Sequence, residues 1–152
     1  MNRNHPVFDH GGSLLALAVF RLHGAMIAAG DALAAPFGLT SARWQVLGAL
    51  SMETAGLSAA QVGRNMGLSR QAVQRVLDDL ERAGLVAYAA NPDHKRAKLA
   101  RLTDLGQAKF NAVSDAWIPR ADALTAGIGP AEFTRLLDLL HLAQQRLTDE
   151  KP

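Results

Sequence analysis

Residues 57–86 read "LSAAQVGRNMGLSRQAVQRVLDDLERAGLV", and the punctuation of this stretch decides the fold. Ser58 and Gln61 have the spacing of a capping box, with Leu57 and Val62 placed as the hydrophobic staple around it. That short helix ends at Gly67, a residue that accepts the left-handed backbone of a tight turn. Ser69 is the next N-cap, and Leu68 and Val73 form a second staple. Val73, Val76, Leu77 and Leu80 recur at i, i+3, i+4 and i+7, one face of an α-helix. Gly84 is its C-terminal stop. Gly63 suits a close approach between the two helices, so the pattern predicts a helix-turn-helix joined by "NMGLS".

The second helix has its polar residues in a particular order. Ser69, Arg70, Gln71, Gln74 and Arg75 fill its first half, and Asp78, Asp79 and Glu81 its second. A recognition helix enters the major groove by its N-terminal end. Arg can bind guanine bidentately there, and Gln can do the same for adenine. Phosphate repels carboxylates, so the acids belong where the helix has left the groove. The competing reading is an ordinary solvated face with Arg75 and Asp79 as an i, i+4 pair.

Outward from the helix pair, "LVAYAA" and "KLARLT" read as two strands around an Asn91-Pro92-Asp93 turn. Leu99, Arg101 and Thr103 fall on one side of the returning strand, and Lys98, Ala100 and Leu102 on the other. The tip carries Lys95, Arg96 and Lys98. A hairpin beside a groove-bound helix can reach the flanking minor groove and its phosphates. There Arg suits the narrow groove and Lys suits phosphate. A plain solubilising loop is the alternative. Upstream, Thr40 caps a helix with Leu39 and Trp44 as its staple, and Trp44, Val46, Leu47 and Leu50 on one side. A first helix is expected over 13–35, a long one from Thr103 to about Ala126, and a last one that begins at Pro130. The first and last are apolar on more than one side, which implies a second buried surface, such as another subunit.

The bulk numbers agree with this plan. A chain of 152 residues, 49% hydrophobic, can build a core. Net charge is only +2, but residues 40–101 hold nine basic against five acidic residues, +4, which places the positive charge with the hairpin and its neighbours. The absence of Cys excludes disulfides, thiolate metal sites and thiol redox sensing. No segment is expected to approach the ~18 apolar residues of a membrane span, and the N-terminal "MNRNHPVFDHGG" lacks a signal peptide's apolar core. A cytoplasmic protein with no membrane partner is expected.

Taken together, the segments "LTSARWQVLGAL", "LSAAQVGRNMGLSRQAVQRVLDDLERAGLV" and "NPDHKRAKLARLTDLG" resemble the MarR (multiple antibiotic resistance regulator) family of winged-helix transcription regulators, most strongly over about 39–106. The resemblance implies a mostly α fold with a small β-hairpin wing. That fold is a winged helix-turn-helix with long N- and C-terminal dimerisation helices. Residues 1–152 would form a single subunit, 39–103 its DNA-binding region, and 13–35 and 104–148 its helical dimerisation region. It implies a homodimer on a pseudo-palindromic double-stranded operator, with Ser69, Arg70, Gln71, Gln74 and Arg75 on the major-groove helix. Arg96 would be the wing-tip arginine, with Lys95 and Lys98 beside it. The family's wing commonly reads Asp-Arg-Arg. Here His94 and Lys95 occupy the first two places and the acid is Asp93, which leaves the bracing of Arg96 open.

The family often binds small, frequently aromatic acids between its dimer helices and its head. Arg21, His23, Met26 and Trp44 are the candidate lining groups. Packing for Trp44 and Met26, and solvent for Arg21, is the competing reading. No nucleophile elbow, phosphate loop or HExxH motif occurs, and the five His are scattered. No enzyme activity, metal or cofactor is therefore expected. The expected function is a homodimeric, sequence-specific transcription regulator, a repressor released by a small aromatic or acidic effector. Two alternatives stand beside it. One is a winged-helix protein–protein module without specific DNA binding. The other is a small-molecule or metal sensor with incidental DNA affinity.

Overall fold

Helix α4 (Arg70–Arg82) is the pivot of the head, because its Val73, Leu77 and Leu80 stripe is fully buried. The structure, a computed structural model, describes residues 10–92 and 97–149. Around α4 the order is α1 (Gly11–Ala34), a 3-10 turn (Ala35–Phe37), α2 (Ser41–Ser51) and α3 (Ala59–Met66). After α4 come β1 (Val86–Ala89), β2 (Leu99–Leu102), α5 (Asp104–Thr125) and α6 (Pro130–Asp149). The chain divides into two compact units between Asp115 and Ala116.

The expected caps form. Thr40 accepts from Arg43 N, and Ser69 Oγ accepts from Ala72 N at 3.2 Å. Ser58 and Gln61 make a complete capping box. Each supplies a partner to backbone donors that the first turn leaves unmet. Gly67 (φ 65) and Gly84 (φ 71) end α3 and α4 in the left-handed region. Gly63 differs in detail from its expected role. A Cβ there would lie 2.7 Å from the Leu68 carbonyl oxygen and 3.6 Å from Arg70 N, so the tightest approach is to the turn that leads into α4. Leu68 stays 44% exposed, so only the Val73 half of that staple is buried.

The two strands pair antiparallel, with Val86 opposite Leu102 and Ala89 opposite Leu99. Ala100 is buried and exchanges backbone hydrogen bonds with Leu57 (3.0 and 2.8 Å), which ties the hairpin root to the start of α3. Arg101 faces outward, its stem over Gly56 and its Nε donating to the Ala55 carbonyl at 2.8 Å. The Leu-Thr-x-x-Gly motif is the joint between α4 and α5. Thr103 Oγ1 donates to the Gly84 carbonyl at 2.7 Å and accepts from Gly106 N at 3.0 Å. A Cβ on Gly106 would overlap the Leu85 carbonyl oxygen. Asp31 Oδ1, at the end of α1, accepts from Ser41 N at 2.7 Å and so anchors the first turn of α2.

Three features mark the long helices, and the first and third differ from expectation. Helix α1 begins at Gly11, two residues before the expected Ser13, because the His10 carbonyl accepts from both Ser13 N and Leu14 N. Helix α5 continues through Pro119, which has no N–H to donate back to Asp115. The third is a correction concerning the membrane. Gly11–Phe37 is 27 residues long and holds an 18-residue window of mean hydropathy 1.6, long and apolar enough by length and composition to cross a membrane. Counting uninterrupted apolar residues misses this, because Arg21, His23 and Asp31 break the run without lowering its average far. In this chain the apolar residues of α1, such as Leu14, Leu17 and Phe20, are exposed.

Candidate nucleic-acid interface

The Ser69 cap places Arg70 and Gln71 in the first turn of α4. With Val73, Leu77 and Leu80 as the buried stripe, a helix of 3.6 residues per turn sorts the polar side chains into two groups. Gln71 and Arg75 lie opposite the stripe and are exposed. Arg75 Nε lies 3.5 Å from the Gln71 carbonyl. The alternative Arg75–Asp79 pair is not formed. Asp79 instead accepts from Arg43 of α2 at 3.2 Å and from Arg82, so this carboxylate ties α4 to α2.

Arg70 and Gln74 form the second group, on the flank toward β1. Gln74 is half-buried, and its Nε2 lies 2.7 Å from both Asp78 Oδ1 and Tyr88 OH. The Tyr88 hydroxyl in turn donates to Asp78 Oδ1 at 3.1 Å. An ionised carboxylate only accepts, so the amide nitrogen must face it, and Tyr88 OH accepts the second amide hydrogen. The Tyr88 phenol is pushed up to about 12. Burial is the main cause, followed by the hydrogen bond to Asp78 and that residue's negative charge, while the Gln74 hydrogen bond works the other way.

These side chains line a cleft of about 370 Å³ between α4 and the hairpin, together with Ser58, Arg70 and Lys98. Lys98 is exposed, and its Nζ sits 5.5 Å from the centre of the Tyr88 ring, within reach of a cation–π contact. A second cleft of about 370 Å³ is lined by Ser58, Gln61, Arg64, Asn91 and Leu99, among others. Arg64 is exposed on α3. Lys95 and Arg96, with Asp93 and His94, lie outside the described residues.

The structure thus brings Arg70, Gln74 and Lys98 to one cleft and leaves Gln71 and Arg75 on the open face. Sequence reasoning missed three participants. Tyr88 was only a strand residue, Asp78 only a repelled acid, and Arg64 one charge among nine. A Gln, an Asp four residues later and an aromatic in the following strand are the only signal. Nothing in that spacing says that they meet.

The candidate effector residues do not gather in the same way. Arg21, His23 and Met26 are exposed on α1, and none lines the clefts described above. Arg21 and His23 are two residues apart on a helix, about 200° around its axis, and so face different ways. Trp44 is half-buried, with Nε1 donating to Ser114 Oγ at 3.2 Å. Among the described residues no group of three or more His, Asp or Glu side chains is placed to hold a metal ion.

The sequence model of the MarR family matches residues 37–97. An uncharacterized protein of Mycobacterium tuberculosis is 35% identical over 138 residues, which cover 91% of this chain and 95% of that protein. An HTH-type transcriptional repressor of Mycobacterium tuberculosis is 36% identical over 108 residues, 69% of this chain and 77% of the relative. CouR from Rhodococcus jostii RHA1, bound to p-coumaroyl-CoA, superposes with a TM-score of 0.76 at 25% identity, over 90% of this chain and 94% of that one. CouR bound to a 23-mer DNA duplex gives a TM-score of 0.71 at 25% identity, over 93% and 97%.

Proposed function

The chain belongs to the MarR family of transcription regulators, and from that premise we propose that it is a homodimer that binds a pseudo-palindromic DNA operator and represses until a small-molecule ligand releases it. The carrying observation is the head of α4. Arg70, Gln71 and Arg75 are exposed behind the Ser69 cap, beside a hairpin that presents Lys98. That end of α4 enters the major groove, where Arg and Gln can read base edges. Arg64, Lys95, Arg96 and Lys98 contact phosphate or the adjacent minor groove. Of the three acids on this helix, Asp78 and Asp79 are engaged within the head, and Glu81 lies a further turn from its N-terminal end.

Residues 39–103 serve as the DNA-binding head, and 13–35 and 104–148 as the dimerisation region. Support for the dimer is the exposed apolar surface of the long helices. In α6, Phe133, Leu136, Leu137 and Leu140 recur at i, i+3, i+4 and i+7 and are 37, 44, 40 and 36% exposed. On this reading a second copy covers such surface in α1 and α6, and the protein works in the cytoplasm, where its DNA lies. The effector is a small aromatic or acidic compound, a class that the complex of CouR with p-coumaroyl-CoA supports. By linkage, a ligand that favours one spacing of the two heads weakens operator binding as much as DNA weakens the ligand.

Selection of bound sequences from a randomised duplex library, at fixed near-physiological salt, tests this function. Enrichment of an inverted repeat with half-sites about one DNA turn (~10 bp) apart is expected. Binding without enrichment, or no binding, would overturn the sequence-specific reading in favour of a protein-interaction module.

A further inference from the structure

We propose that Tyr88 and Asp78 determine what residue 74 can read, by occupying both donor hydrogens of the Gln74 amide so that only its carbonyl oxygen is offered to the DNA. This rests on the groove reading above and deepens it. Gln74 Nε2 is 2.7 Å from Asp78 Oδ1 and 2.7 Å from Tyr88 OH, and an amide nitrogen has only two hydrogens. The opposite amide orientation would set Oε1 against a carboxylate, with no hydrogen between them. The network therefore fixes which way the amide faces.

The consequence is chemical. A bidentate Gln–adenine pair needs an N–H for N7 and a carbonyl for N6–H₂. A clamped Gln74 has the carbonyl only. In the major groove a lone acceptor matches adenine N6–H₂ and cytosine N4–H₂ alike, and it rejects the acceptor edges of guanine O6 and thymine O4. Residue 74 thus sorts amino bases from keto bases and does not single out adenine. Tyr88 and Asp78 are positioning residues in this scheme. Because Tyr88 belongs to β1, the hairpin root helps to set the specificity of the helix it packs against.

The test is the same duplex selection, run with the wild type, Gln74→Ala, Tyr88→Phe and Asp78→Ala. The two clamp variants each free one amide hydrogen by a different route, so the proposal does not depend on either one folding. In the wild type one position of each half-site should accept adenine or cytosine at near parity, and Gln74→Ala should flatten that position. In Tyr88→Phe and Asp78→Ala the released amide can turn its donor and acceptor together toward the base. Adenine should then exceed cytosine by roughly tenfold, the low end of one bidentate pair. An inverted repeat that is unchanged in all three variants, or a wild type that already selects adenine alone, would overturn the clamp and leave the regulator reading intact. Failure of the wild type to select any inverted repeat would overturn that reading and the clamp with it.

Discussion

Tyr88 is the chain's single tyrosine, so its ionisation can be followed by absorbance without interference from another phenol. Its pKa is raised from 10.0 to about 12. A group whose folded pKa is raised contributes stability that is complete below the unfolded value and lost as pH rises through the folded one, so this contribution fades between 10.0 and about 12. Asp78→Asn removes the carboxylate charge and should bring the phenol back toward its ordinary value. An unchanged titration would remove Asp78 as a cause. On the groove reading, Arg75→Ala should relax base preference at one operator position by roughly 1–3 kcal/mol, measured by competition among single-base operator variants. Arg96→Ala should weaken all duplexes and reduce the slope of log affinity against log salt by ~0.9 if it neutralises one phosphate. A change confined to A·T-rich flanks would instead assign it to the minor groove.

At the scale of elements, the head is held by caps and by close backbone approaches. Ser69→Ala leaves the first turn of α4 without its side-chain acceptor and should cost about 0.5–2 kcal/mol in thermal or denaturant unfolding. Gly106→Ala should cost about 1–3 kcal/mol or more, because the added methyl meets the Leu85 backbone carbonyl and has no torsion by which to turn away. Wild-type stability in Gly106→Ala would show that the α4–α5 joint is looser than its geometry implies. The Leu-Thr-x-x-Gly string therefore has a physical meaning. Thr103 satisfies one end of each helix, and Gly106 lets the two segments touch.

At the scale of the whole molecule, the long helices carry more apolar surface than one copy buries. In α6 no residue is buried, and in α1 only Gly30, Leu33 and Ala34 are. Surface of this kind is covered by lipid or by protein, and the DNA-reading head of the chain favours a second copy. Sedimentation should give a dimer, and the unfolding temperature should rise with protein concentration as mass action requires. Replacing both Leu136 and Leu140 by Glu, on one stripe of α6, should shift the protein toward monomer and weaken binding to an inverted repeat more than to a half-site. A stable dimer in that variant would move the interface away from this stripe.

The sequence by itself determined what depends on neighbours along the chain. The caps at Thr40, Ser58 and Ser69, the stops at Gly67 and Gly84 and the buried stripe of α4 all come from interactions within a few residues, where spacing dictates geometry. The polar order along α4 was legible for the same reason. Only the tertiary structure decided how those side chains divide their hydrogen bonds. Gln74 meets Tyr88 fourteen residues later, Asp79 meets Arg43 thirty-six residues earlier, and Trp44 meets Ser114 seventy residues on. Such meetings depend on how elements pack and not on any local period. That is why the sequence could offer Gln74 as a candidate reader of bases, while only the fold shows its amide nitrogen turned to Asp78 and Tyr88.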